Sequence, residues 1–176
     1  VTYTTTLLAE LSQLARFPGV PGLRFWVSNT TGSYYYYTPQ DFIYNRSNDK
    51  LTTNHLGVGV FSKSPYLSYS GALRFYVNGY RSNEKLLFGG ITISPWKSTE
   101  MPFIKGSITF QDRQPDLFVR NYFSNHYAWS NNFEREKWLT VSGVLGADRY
   151  KFEIGYNVAN VVNYIYFDTT GRPAQA

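Results

Sequence analysis

The sequence predicts an all-β chain: an antiparallel meander forming part of the wall of a transmembrane β-barrel, with one short helix near the N-terminus. Three observations lead there. The stretch Tyr66 to Val77 has a two-residue period, with Leu67, Tyr69, Gly71, Leu73, Phe75 and Val77 apolar or small and Ser68, Ser70, Ala72, Arg74 and Tyr76 polar, small or amphipathic. Successive strand side chains point to opposite faces, so this stretch has one apolar face and one wet face. It is also longer than the roughly five or six residues of an ordinary soluble strand and matches the roughly nine to eleven that carry a tilted strand across a bilayer. Finally, the connections after Leu56 run short, medium, short, long, short, which puts every short turn on one side, the sorting seen in outer-membrane barrels.

Composition is compatible with this fold and excludes others. An apolar fraction of 43% over 176 residues is enough for an ordered domain. Sixteen Tyr, thirteen Phe and four Trp against 16% charged residues suit β structure and membrane-interface girdles, and also soluble sugar-binding β domains. The absence of cysteine excludes disulfides and thiolate metal sites. No apolar run approaches the roughly eighteen residues of a spanning helix, so a bilayer could be crossed only by closed β structure. The start, VTYTTTLLAE, has neither an initiating Met nor a charged-then-apolar leader and reads as processed or internal. A formal charge of +5 and a pI near 9.3 would attract anions.

Taken in order, the first residues look extended. Leu7 to Ala15 then adopts a helical stripe of Leu7, Leu8, Leu11, Leu14 and Ala15 behind a Thr6 cap, a helix that would lie either in the lumen or on the rim. Pro18 and Pro21 end it. Leu23 to Asn29 and Ser33 to Tyr37 read as short strands around a turn at Thr30, Thr31 and Gly32, with the tyrosine run projecting beyond a membrane or forming an interface belt. Pro39 to Asn54 is loop by composition. Residues 1–53 thus form a helix- and loop-rich aromatic region, and 54–158 form regular transmembrane hairpins.

Within those hairpins, Leu56 to Ser62, Tyr66 to Val77, Leu87 to Ser94, Phe103 to Gln111, Leu139 to Leu145 and Tyr150 to Val158 are strands. Residues 112–136 form a long extracellular loop, and 159–176 a loop and flexible tail. The polar faces hold Arg74, Lys105, Lys151, Glu153 and Asn157, the candidate lumen-lining residues, whereas the facing apolar sets hold no charge. A lipid-facing charge near the midplane costs about 2–4 kcal/mol, so this partition is what a bilayer would require.

The words SNHYAWSNNF, Ser124 to Phe133, and NYIYFD, Asn163 to Asp168, followed by Pro173 and Gln175, resemble the putative porin family of Bacteroidota outer membranes, the likeness running from about Leu56 to Gln175. The resemblance implies a large single-chain barrel of which this chain is an internal part, and it brings no catalytic residues. Six clear strands, or eight with two doubtful ones, could close only the smallest, side-chain-filled barrels, which agrees with a partial wall.

No motif competes strongly with this reading. His55 and His126 lack cysteine or paired carboxylates for a metal site, and His126 is expected to order the long loop by hydrogen bonding. Asp112, Asp116, Glu134 and Glu136 flank Arg113 and Arg135 and read as solvated or ion-paired rather than as a glycosidase pair. Gly57-Val58-Gly59 lacks the remainder of a nucleotide loop. Basic residues beside aromatics, as at Arg74-Phe75, point to opposite faces, which argues against nucleic-acid binding.

The expected function is therefore passive diffusion of small hydrophilic solutes through an outer-membrane channel, without enzyme activity or cofactor. The expected partners are outer-membrane lipid, small solutes and the rest of the same barrel or other envelope proteins, in a Gram-negative, Bacteroidota-type bacterium. The rival readings are a structural or assembly barrel subunit and a soluble, aromatic-rich β-sandwich that binds glycans.

Overall fold

The computed structural model describes residues 2–11, 21–36, 47–64, 66–95, 102–124 and 126–176. The main sheet is built from β1 (Thr2–Leu11), β2 (Gly22–Tyr36), β3 (Ser47–Lys63), β4 (Leu67–Asn78), β5 (Lys85–Ile93) and β6 (Phe103–Arg113). The long connection then contributes α1 (Leu117–Arg120), β7 (Asn121–Phe123) and β8 (Ala128–Ser130) before β9 (Glu136–Ala147) and β10 (Phe152–Val162) complete that sheet. β11 (Ile165–Phe167) and β12 (Pro173–Gln175) follow. The eight-stranded sheet has the order β1-β2-β3-β4-β5-β6-β9-β10, antiparallel throughout, with β7–β8 and β11–β12 as separate small hairpins. The chain is an all-β antiparallel meander, as its periodicity predicts.

The register aligns the two faces across strands. On one face Phe25, Val58, Leu73, Leu87, Phe110 and Leu139 are directly opposed in turn, and below them lie Ile91, Ile93, Ile104, Ile108, Val141 and Leu145, all exposed. On β4 the face runs from Leu67 to Val77; ten steps of roughly 3.3 Å give about 33 Å along the strand, or about 25 Å of bilayer thickness at the usual barrel tilt. At one end the same face changes to Lys85, Asp112 and Lys137, mutually opposed on β5, β6 and β9. The apolar band ends there.

A soluble sandwich packs two sheets face to face and buries both inner faces. Among the described residues few apolar side chains are buried, Tyr76, Phe103, Ala147, Pro115 and Pro173, and the main sheet turns its large apolar side chains outward. An apolar surface of that extent marks a membrane or partner interface. The soluble β-sandwich expectation is therefore corrected.

Several local expectations are corrected too. The first residues are extended as expected, but the strand runs on through Leu11 where a helix was expected from Leu7, and Thr2–Leu11 pairs along its whole length with Leu23 to Gly32. The run TYTTT disfavours helix through its β-branched side chains, and a helix of so few residues is marginal without packing. Ser12 to Ala15, like Phe17 to Val20, lie outside the described residues. Thr30, Thr31 and Gly32 do not turn: β2 is one strand of 15 residues. Residues 47–53, which composition assigned to a loop, belong to the 17-residue β3 and pair with the projecting end of β2. Their polarity reflects a position past the apolar band rather than the lack of a ladder. Tyr150 lies in a 3-10 turn, so the last long strand begins at Phe152. The tail is not free, since Pro173–Gln175 pairs with Ile165–Phe167.

Glycines set opposite aromatic rings let these strands pack closely. Trp26 faces Gly57, Phe61 faces Gly22, Phe103 faces Gly146 and Tyr156 faces Gly143, and each ring covers its glycine. A Cβ on Gly143 would stand 2.5 Å from the Tyr156 ring, and one on Gly57 would sit within the Trp26 indole. Such covering of glycine by a cross-strand ring helps pin register. Gly57→Ala is expected to destabilise the barrel by about 1–3 kcal/mol, the usual cost of overpacking, read as a lower midpoint for the heat-induced shift from folded to unfolded mobility in detergent gels. An unchanged midpoint would mean that the indole has room to move aside.

Candidate functional site

The face opposite the apolar band carries polar groups at strand centres. Ser70, Gly90, Ser107, Ser142 and Asn157 form one register row, and the Ser107 and Ser142 hydroxyls are hydrogen-bonded at 2.7 Å. One row nearer the short turns, Lys63, Ser68, Thr92 and Lys105 are opposed in the same way. A trough of about 400 Å³ follows these rows between Phe61 and Val144.

Four of the five sequence-predicted residues share this face. Arg74 lies opposite Gly57 and Leu86, half-buried, and its Nε has no protein hydrogen bond. Lys105 is exposed, with its ammonium 4.2 Å from the centre of the Phe103 ring. Glu153 and Asn157 lie on β10 opposite Gly146 and Ser142. Lys151 is placed differently: it follows the 3-10 turn in the left-handed conformation, φ +48°, and stands in the short turn rather than at mid-strand. The alternation places it on the right side of the count, but the strand begins one residue later.

At the other end of the polar face two buried carboxylates organise the connections. Glu84, with its side chain 3% exposed, pairs with Arg81 at 2.6 Å and accepts the Gln114 N–H through its second oxygen at 2.9 Å. Glu136, with its side chain 6% exposed, pairs with Arg113 at 2.7 Å and accepts the Ile165 N–H through its second oxygen at 3.2 Å. Each arginine also stacks on a ring of the polar face, Arg81 on Tyr76 and Arg113 on Trp138. A buried carboxylate needs such a full set of partners, because its desolvation is otherwise uncompensated. Glu84 thereby ties down the start of the long connection, and Glu136 ties down the tail hairpin.

Arg135 closes the arrangement. Its guanidinium donates to the carbonyls of Ser82 and Asn83 and to Gln114 Oε1, with Asp112 at 3.9 Å. The Gln175 amide nitrogen donates to the Glu134 and Asn163 carbonyls, and its oxygen accepts from Glu134 N–H. Asp116 caps α1 by accepting the Phe118 N–H, and Tyr80 donates its hydroxyl to Pro115 O at 2.6 Å. Leu117 of α1 lines a cavity with Thr30, Thr53, His55 and Tyr76, so the long connection leans back over the polar ends of β2 to β4. A pocket of about 580 Å³ remains between this roof and the sheet.

Burial pushes the Tyr80 phenol above its ordinary pKa. Burial works against the Arg81 charge, but its hydrogen bond and attraction to Glu84 outweigh this and raise it. In the tail, the Thr170 hydroxyl and the Arg172 and Thr170 N–H groups hold the Asp168 carboxyl below its usual range. A lowered carboxylate pKa stabilises the fold above the unfolded value, and the contribution is lost as pH falls through the folded one. Acidification through that range is expected to loosen the β11–β12 turn, seen as faster exchange of the Gly171 amide, which donates to Asp168 O. Asp168→Asn should remove most of that pH dependence.

The expected carboxylate roles hold: Asp112 and Glu136 face arginines, Asp116 caps a helix and Glu134 accepts from Asn163. The role expected of His126 is corrected. The turn is held by Ser124, whose hydroxyl and N–H bond Tyr127, while His126 is exposed. Glu84, Arg81, Tyr80 and Gln175 were missed, and the only local signal was the three-residue spacing of Arg81 and Glu84. Among the described residues no His, Asp and Glu side chains come together as a metal cage.

The family described as "putative porin" matches residues 20–176. No curated protein and no solved structure matches the chain.

Proposed function

Because the chain belongs to the putative porin family, with the porin-like, channel-type role that membership carries, we propose that it forms part of the wall of an outer-membrane channel for passive diffusion of small hydrophilic solutes in a Bacteroidota-type envelope. The observation that carries this is the pairing of an outward apolar band with an opposite polar face that the long connection partly covers. Outer-membrane lipid would cover the first face, and water and solute the second. The long connection would then be extracellular and the short turns periplasmic.

Among the described residues β1 pairs only with β2, and β10 only with β9. Hydrocarbon leaves no edge unpaired, so further strands complete the barrel, contributed by the same polypeptide or by another envelope protein. β1 and β10 run antiparallel to each other in this order, so an even number of strands closes it.

Arg74, Lys105, Glu153 and Asn157 would line the lumen, with Lys151 at the periplasmic mouth. Cations exceed anions among them, so the lumen should favour anions modestly. Reconstituted in planar bilayers under a salt gradient, the natural protein is expected to give a reversal potential on the anion side, and Lys105→Glu should move it toward cations. Equal permeabilities that Lys105→Glu leaves unchanged would remove the electrostatic role. Absence of conductance with stoichiometric co-purifying partners would instead identify a structural subunit.

A further inference from the structure

The roofed pocket at the long-connection end has a chemistry distinct from the basic wall below it. Its fixed charges are already neutralised in pairs: Arg81 holds Glu84 at 2.6 Å and Arg113 holds Glu136 at 2.7 Å. The remaining carboxylate at its edge, Asp116, is occupied in capping α1. An entering anion therefore meets two arginines already paired. The one carboxylate without an ion pair, Asp116, is solvent-exposed and engaged with the helix N–H, and displacing either buried carboxylate would strand a buried group.

What the pocket does offer is uncharged or internally balanced hydrogen bonding beside flat rings. Both arginines line the pocket and stay part-exposed, their side chains 42% and 40% accessible. The Gln111 amide and the Tyr80 side chain lie on the same lining. Phe118 and Phe167 border the opening with exposed rings. Planar polar groups beside aromatic faces complement a molecule with hydroxyl edges and C–H faces. The volume, about 580 Å³, falls in the range of roughly 300–1,000 Å³ typical of small-molecule sites.

We propose that this pocket is a recognition site for neutral polyhydroxylated solutes of the saccharide class, which it would hold at the mouth of the channel. Placing it at a mouth rests on the porin reading; its ligand chemistry does not. The hydrogen-bonding groups sit on strand ends and on a turn tied by Glu84, so the site is preformed rather than assembled on binding.

The test uses the complete natural protein in detergent and, separately, in bilayers. Calorimetric titration with maltotriose is expected to give saturable binding, with inorganic phosphate and tetramethylammonium showing none at the same concentrations. Phe118→Ala and Gln111→Ala should each weaken maltotriose about tenfold, the size of one lost ring contact or hydrogen bond. Both side chains are absent from the two buried ion pairs, and an unchanged far-UV spectrum and gel mobility will confirm that each variant folds. Absence of maltotriose binding, tighter binding of phosphate, or maltotriose binding indifferent to both substitutions overturns the proposal. In bilayers, conductance without saccharide binding leaves the channel reading standing and removes this one, whereas saccharide binding without conductance does the reverse.

Discussion

Ile108→Arg is expected to cost the folded barrel about 2–4 kcal/mol, while Thr109→Arg, one residue along the chain, is accepted. Ile108 lies opposite Gly89 and Val141 and is 48% exposed near the middle of the apolar band. Among the described residues no carboxylate stands on that face until Asp112, in the row with Lys85 and Lys137 near the long-connection end. Thr109 lies opposite Phe88 and Thr140 on the polar face, where an added arginine stays hydrated. Urea titration of both variants folded into lipid vesicles measures the difference. Equal midpoints would mean that the exposed apolar face does not meet hydrocarbon, and the membrane reading would fall with it.

Arg113→Ala is expected to release the tail hairpin and the long connection together. It leaves Glu136 buried without its cation, and breaking a buried pair from one side costs about 3–5 kcal/mol. The lower part of that range applies here, because the Arg113 side chain is 40% exposed and its charge is already partly screened. Glu136 also accepts the Ile165 N–H, so a reoriented carboxylate frees β11 as well. The expected readout is rapid protease cleavage within residues 114–135 and loss of amide protection at Ile165, with β4 to β6 still protected. Adding Glu136→Gln should recover part of the loss, since a neutral amide is cheaper to bury than a lone carboxylate. Uniform loss of protection through the whole sheet would show that the pair supports the sheet itself rather than the connections.

How much of this was legible in the sequence varied with the range of the interactions. Tyr66 to Val77, Phe103 to Gln111 and Leu139 to Leu145 were readable because alternation needs no knowledge of the neighbouring strand. Leu7 to Leu11 was misread, since a leucine stripe of helical spacing outweighed the extended threonines before it and only pairing with β2 decided between them. Residues 47–53 were misread for the opposite reason: a polar strand beyond a membrane has the composition of a loop. Lys151 shows the limit of counting, because the parity was right but the turn extends two residues further than the Gly146 to Arg149 segment, through Tyr150 and Lys151.

By itself the sequence determined the all-β class, the antiparallel meander and the face on which Arg74, Lys105, Glu153 and Asn157 lie. Side-chain direction along a strand is a local property with a period of two. Only the tertiary structure decided that Glu84 and Glu136 are buried, that they hold Gln114 and Ile165, and that the long connection bends back over the polar face. Those contacts join residues about thirty apart in the chain. They exist because desolvated carboxylates must find partners wherever the sheet brings them, and no local pattern records where that is.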